Sequence, residues 1–148
     1  MTLFFPDLNV WIALSVDGHA HNAQAWNWFN SLPAGATLIF ARYTQVGLIR
    51  LLTNESMMRS EALTLRKAWS VYDQWMDDPH VDFFPEPRGL DATFRQVTAP
   101  FANRAASQLV GDCYVLAFAM QSHATLVTFD KALHGLAGRH GCPALIPG

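Results

Sequence analysis

Five short apolar runs, each cut off from the next by a stretch that cannot be a hairpin loop, constrain this chain more than any other feature. They are Leu3–Phe5, Thr37–Phe40, Val81–Phe84, Thr125–Thr128 and Ala144–Ile146. A two-residue turn can join antiparallel strands, whereas parallel strands need a crossover of about a dozen residues. The intervening segments supply helices for such crossovers. Leu8–Val16 reads as a short helix with Asp7 near its N-cap. His19–Leu32 places Ala25, Trp28, Phe29 and Leu32 at helical spacing. Thr44–Thr53 is apolar on most sides, and Glu61–Met76 repeats the helical period through Leu65, Ala68, Trp69, Tyr72 and Met76. Leu90–Thr98 is a further helix and 103–110 a loop. Gly111-Asp112 opens a helix to Ser122 with Val115, Leu116 and Ala119 facing inward, and Lys131–Ala137 is a last helical turn. Pro33-Ala34-Gly35, Asp77-Asp78-Pro79 and Pro85–Gly89 punctuate the series. The expectation is one α/β domain over residues 1–148, with a central, mostly parallel sheet and helices on both faces.

Composition narrows the function. With 51% hydrophobic residues, five Trp and ten Phe, the chain is no disordered segment. Ten Lys plus Arg against twelve Asp plus Glu leaves a formal charge of −2. That excludes a coat held on nucleic acid by bulk charge, but not an enzyme that grips one phosphodiester locally. Cys113 and Cys142 make neither a disulfide scaffold nor a Cys-x-x-Cys metal pair, which predicts a cytoplasmic setting. The opening residues lack the basic start of a signal peptide. No apolar run reaches the ~18 residues of a membrane span, so no membrane partner is expected.

Three acids stand out by position. Asp7 follows the first apolar run across Pro6, Asp130 follows Leu126-Val127-Thr128 in the same way across Phe129, and Asp112 begins an apolar helix. In open parallel sheets the carboxyl ends of the strands line the ligand crevice, so these carboxylates can converge although they are remote in sequence. Converging carboxylates repel unless protonated or bridged by a cation. Oxygen ligands without His or Cys suit Mg²⁺ or Mn²⁺. Each acid also has a plainer reading: Asp7 and Asp112 as helix caps, Asp130 as a turn residue.

The motifs around these acids resemble one family. Asp7-Leu8-Asn9-Val10-Trp11-Ile12-Ala13-Leu14 after a short strand is similar to the opening motif of PIN-domain proteins, above all the VapC-type toxins. His19-Ala20-His21 followed by Ala25 and Trp28-Phe29, the segment Thr44–Thr53, Gly111–Ala117, and Val127-Thr128-Phe129-Asp130 resemble later motifs of that group, in order. The resemblance implies a PIN fold and an Mg²⁺-dependent endoribonuclease (Mn²⁺ in its place) acting on an RNA substrate. It also implies silencing by a small VapB-like antitoxin, and a homodimer. By the same resemblance Asp7 and Asp112 are the principal metal ligands, and Asp130 binds directly or through water. Thr128 orients a carboxylate or the phosphate, and Asn9 supports Asp7. The chain departs from the family at Gln45, which aligns with a Glu of the second motif and supplies no charge.

Other residues carry weaker signals. Arg50 lies on a largely apolar helix, where an unpaired charge is costly, and is a candidate for substrate or for a pairing acid. Lys131, beside Asp130, is a candidate phosphate contact or a solvated lysine. His19 and His21, two apart, are expected to point in different directions on the surface, and Cys113 to be a small buried residue. The rings of Trp26, Trp28, Trp69, Tyr72 and Trp75 divide between a core and a face for a dimer or antitoxin. Two other readings stay open. One is a doubly wound phosphatase with Asp7 as nucleophile, although Asn9 stands where it wants a second Asp. The other is a PIN module that binds RNA or a partner without cutting.

Overall fold

The computed structural model describes residues 2–148, and places strand β1 at Thr2–Pro6, β2 at Ala36–Phe40, β3 at Val81–Phe83, β4 at Thr125–Val127 and β5 at Ala144–Leu145. They form one sheet in the order β3-β2-β1-β4-β5, with every pair parallel. The expected sheet is therefore present. The chain begins at the central strand, moves outward through β2 and β3, and returns to the other side of β1 for β4. That reversal leaves a crevice at the carboxyl ends of β1 and β4.

Alternation along each strand divides the apolar residues between two cores. Phe4, Leu38, Phe40, Val81 and Val127 face one side, where they meet helices α1 (Leu8–Ser15), α2 (Asn22–Asn30), α3 (Arg42–Leu52) and α5 (Leu65–Met76). Phe5, Ile39 and Leu126 face the other, against α6 (Leu90–Thr98), α7 (Val110–Gln121) and α8 (Lys131–Arg139). Helices cover both faces, so strands buried on both sides read as continuous apolar runs. Val115, Leu116 and Ala119 are buried as expected, and Cys113 and Cys142 are free and buried.

Several boundaries differ from the sequence reading, each for a local reason. α2 begins at Asn22 rather than His19, because the Asn22 amide donates to the Ala13 and Val16 carbonyls at 2.8 and 3.2 Å and so fixes the preceding turn. α3 begins at Arg42, where the Thr44 hydroxyl accepts from the Ala41 N–H at 3.0 Å. α5 begins at Leu65, capped by Thr64, and the stretch before it is a 3₁₀ turn at Arg59–Glu61. The single-turn helix α4 (Glu55–Met58) and the 3₁₀ turns Ala99–Phe101 and Ser107–Leu109 are too short to show a period. α8 runs on to Arg139.

Most of the aromatic rings belong to the core. Trp11 stacks on Phe40 with centroids 3.8 Å apart, and its edge meets Trp75. Trp75 donates to Ser15 Oγ at 2.9 Å and Trp26 to the Leu14 carbonyl at 3.1 Å. Trp28 is buried against Phe4, whereas Trp69 is 46% exposed. Among the described residues no helix is long and apolar enough to cross a membrane.

Candidate active site

Asp7 caps α1, and its position is fixed from both sides. Its N–H donates to the Val127 carbonyl at 2.8 Å, its Oδ1 accepts from the Leu8 N–H at 2.7 Å, and its Oδ2 accepts from the Thr128 hydroxyl at 3.1 Å. Thr128, fully buried just past β4, is the hub of the network. Its oxygen also accepts from Asn9 Nδ2 at 3.2 Å and from the Asp130 N–H at 3.0 Å. Both of those are obligate donors, so the single hydroxyl proton is left for Asp7. Asn9 is oriented in turn by the Phe129 N–H, which donates to its Oδ1 at 3.2 Å. Asn9 therefore supports Asp7 through Thr128 rather than by direct contact.

Asp130 caps α8 through one oxygen, Oδ1, which accepts from the Ala132 and Leu133 N–H groups at 2.8 and 3.2 Å. The capping alternatives for Asp7 and Asp130 are thus real, and they hold these carboxylates at the strand ends. Asp112 lies in the first turn of α7 but is not its cap.

The three acids share one electrostatic environment. Burial pushes the Asp7 carboxyl above its ordinary value; the hydrogen bonds from Leu8 and Thr128 oppose the shift, and the charge of Asp130 adds to it. Asp112 is pushed up to about 6, by burial first and then by the negative charges of Asp7 and Asp130. Among the described residues none of the three is ion-paired. No three His, Cys, Asp or Glu side chains there stand close enough to cage a metal ion unaided. Mg²⁺ takes one or two carboxylates and keeps several waters, so two of these acids suffice to hold it.

The remaining candidates fall at the rim. Arg50 is exposed on α3, which corrects the expectation of a costly buried charge. It lines a depression of about 290 Å³ with Leu8, Gly47 and Asn54, next to Asp7 in the chain. Lys131 is exposed beside Asp130. Gln45 is buried and accepts from the Arg42 guanidinium, which also stacks over Phe83 at 4.8 Å. Tyr43, two residues earlier and so roughly 200° around the helix, lies within the field of Asp7 and Asp112. Its hydroxyl lies against Gly111, where an added Cβ would come within 2.5 Å. Its phenol is raised by burial and then by the charges of Asp7 and Asp112, with Arg50 opposing. Sequence reasoning passed over Tyr43, although it stands just past the carboxyl end of β2. His19 and His21 do not diverge as expected: their rings lie 5.8 Å apart, and His21 stacks on Phe129.

Neither of the recesses of about 610 and 440 Å³ is lined by these acids, which are all half-buried.

Comparison with known proteins places this geometry. The PIN domain model matches residues 4–139. The chain is similar to Ribonuclease VapC41 of Mycobacterium tuberculosis, with 36% identity over 89% of this chain and 92% of that protein. In fold it is similar to a VapBC2 structure from Rickettsia felis bound to a promoter DNA fragment, with TM-score 0.73 and 11% identity over 99% of this chain and all of that one. Mycobacterium tuberculosis VapC20, described as a sarcin-ricin loop cleaving toxin, superposes with TM-score 0.66 and 17% identity, covering 89% of this chain and 93% of that one. The chain belongs to the PIN-domain family, within its VapC-type ribonucleases.

Proposed function

We propose that this protein is a metal-dependent endoribonuclease, the toxin of a toxin–antitoxin pair, acting in the cytoplasm as one domain over residues 1–148. One observation carries the reading: Asp7, Asp112 and Asp130 share a field of like charge at the sheet's reversal point, with no cationic side chain among the described residues paired to them. A phosphatase with Asp7 as nucleophile wants a second Asp where Asn9 stands. Asp7 is also a poor nucleophile, since both its oxygens already accept hydrogen bonds.

Asp7 and Asp112 would hold Mg²⁺, with Mn²⁺ in its place and Asp130 joining through water. When bound, the ion supplies polarisation of a water and of a non-bridging phosphate oxygen. Thr128 keeps Asp7 Oδ2 in place, and Asn9 keeps Thr128 in place, as supports of metal ligands do. Asp130 Oδ2, the oxygen not committed to capping α8, accepts the proton of the attacking water. Arg50 and Lys131 contact flanking phosphates. Gln45 is buried and engaged by Arg42, on the side of α3 opposite Tyr43, which supports a cleaving site that does not depend on a charge at that position.

A small VapB-like antitoxin and a homodimer complete the proposal. Leu65 and Trp69 on α5 and Val46 on α3 leave an apolar face exposed, which supports a protein partner. An antitoxin arginine set among the three acids would neutralise them in the metal's stead. Incubating purified protein with structured RNA in Mg²⁺, Mn²⁺ or EDTA tests the activity. Fragments are expected with either metal and not with the chelator; cleavage undiminished by EDTA would overturn the reading.

A further inference from the structure

Two aromatic pairs border the acids, and the reaction as described uses neither. Phe129 sits between Thr128 and Asp130, with its N–H fixed on Asn9. The His21 ring lies over it at 4.4 Å and 11°, a parallel stack whose outer member is exposed. The second pair flanks Asp112. Tyr43, with its hydroxyl against Gly111, meets Tyr114 at 5.0 Å and 44°, and Tyr43 is 45% exposed. Tyr114 is anchored by donating its hydroxyl to Glu86 Oε1 at 3.2 Å and by the edge contact with Phe94. In each pair the inner ring, one or two residues from a site carboxylate, is held by the fold, and the outer ring is exposed. The other stacked rings, such as Trp11 on Phe40 and Phe5 on Phe118, are buried in the cores.

An exposed aromatic face beside a phosphodiester site matches an unpaired nucleobase. Base–aromatic stacking tolerates any sequence, but it requires a base whose faces are not already covered in a duplex. We infer that His21 over Phe129 and Tyr43 beside Tyr114 are two nucleobase subsites. An RNA strand crossing the site then has a base on one side of the scissile phosphate stacked on His21 and a base on the other side stacked on Tyr43. The inference rests on the ribonuclease reading and names the residues that hold the bases of its substrate.

The test reads stacking directly, without cleavage. RNA octamers with a single 2-aminopurine moved through each position are bound to the full-length Asp7→Asn protein, with binding followed by anisotropy. Quenching is expected at two positions. His21→Ala should relieve one and Tyr43→Leu the other, each weakening binding about tenfold, in the range of a lost base stack. His21→Phe and Tyr43→Phe should keep the quenching. Failure of the octamers to bind, a bound octamer quenched nowhere, quenching indifferent to both substitutions, or equal affinity for the same sequence as a duplex would each overturn the subsites. Two-position quenching with a wild-type protein that cuts no RNA would support the subsites and refute the nuclease reading. Cleavage by wild type without quenching would refute the subsites alone.

Discussion

Replacing Asp112 with Asn should stabilise the metal-free protein at neutral pH, and the size of the gain follows from the site. The Asp112 carboxyl is raised from 3.8 to about 6 by burial and by the charges of Asp7 and Asp130. The folded state therefore binds this proton more tightly than the unfolded state does. Between those values folding takes up a proton, so this group lowers stability as pH rises through the window, and above about 6 the penalty is complete. The difference between the two values corresponds to roughly 3 kcal/mol. Asp112 is only half-buried, however, and solvent screening reduces this to about 1 kcal/mol. Asn removes the charge while keeping the shape. Urea unfolding in EDTA should find Asp112→Asn more stable than wild type by about 1 kcal/mol at pH 7.5, with the two converging below pH 4. Added Mg²⁺ should raise the stability of wild type and leave the variant nearly unmoved. A variant equal to or weaker than wild type at pH 7.5 would refute the claim that Asp112 sits in a crowded field of like charge.

Thr128→Val removes the donor to Asp7 and strands the Asn9 amide and the Asp130 N–H, so denaturation should register a loss of about 1–3 kcal/mol, with RNA cleavage falling and Thr128→Ser restoring most of both. Gly111→Ala should leave the melting temperature unchanged or slightly raised, since Ala favours the helix, while displacing the Tyr43 hydroxyl from the Cβ position 2.5 Å away; a KM for RNA equal to wild type would argue against a role for that ring. Gln45→Glu, on the far side of α3 from Tyr43, should leave Mg²⁺ affinity unchanged by titration calorimetry, and a tighter constant would place it in the site after all. Sedimentation at micromolar concentration should find a dimer, and a clean monomer would refute that assembly.

The strands and the two strand-end acids were legible because a parallel sheet buries its strands on both faces. Leu3–Phe5 and Thr125–Thr128 therefore read as unbroken apolar runs, and the acid that ends each run stands at the crevice edge. Asp112 was less so. Its residues announce only an apolar helix beginning with an acid, and its approach to Asp7 depends on which side of β1 the later strands join. No local pattern encodes that choice, and the family resemblance supplied it. Gln45 aligned with a charged position, yet its direction depends on the phase of α3, which starts two residues earlier than the apolar pattern implies. His21 illustrates the same limit. Its spacing from His19 implied divergence on a helix, but the Asn22 side chain delays that helix, and the non-helical turn it fixes lets the ring reach Phe129. Tyr43 stands past the end of β2 as Asp7 stands past β1, but an uncharged ring at that place has no chemical signature that separates a site residue from a packed one.

The central claim is that Asp7 and Asp112 together make the cleaving centre, and single-turnover hydrolysis of one RNA by wild type, Asp7→Asn and Asp112→Asn in Mg²⁺ tests it most directly. Circular dichroism should confirm that all three are folded. Both variants should then lose activity by at least about a thousandfold, the scale on which metal-site electrostatics act. Cleavage at the wild-type rate by either folded variant would contradict the account.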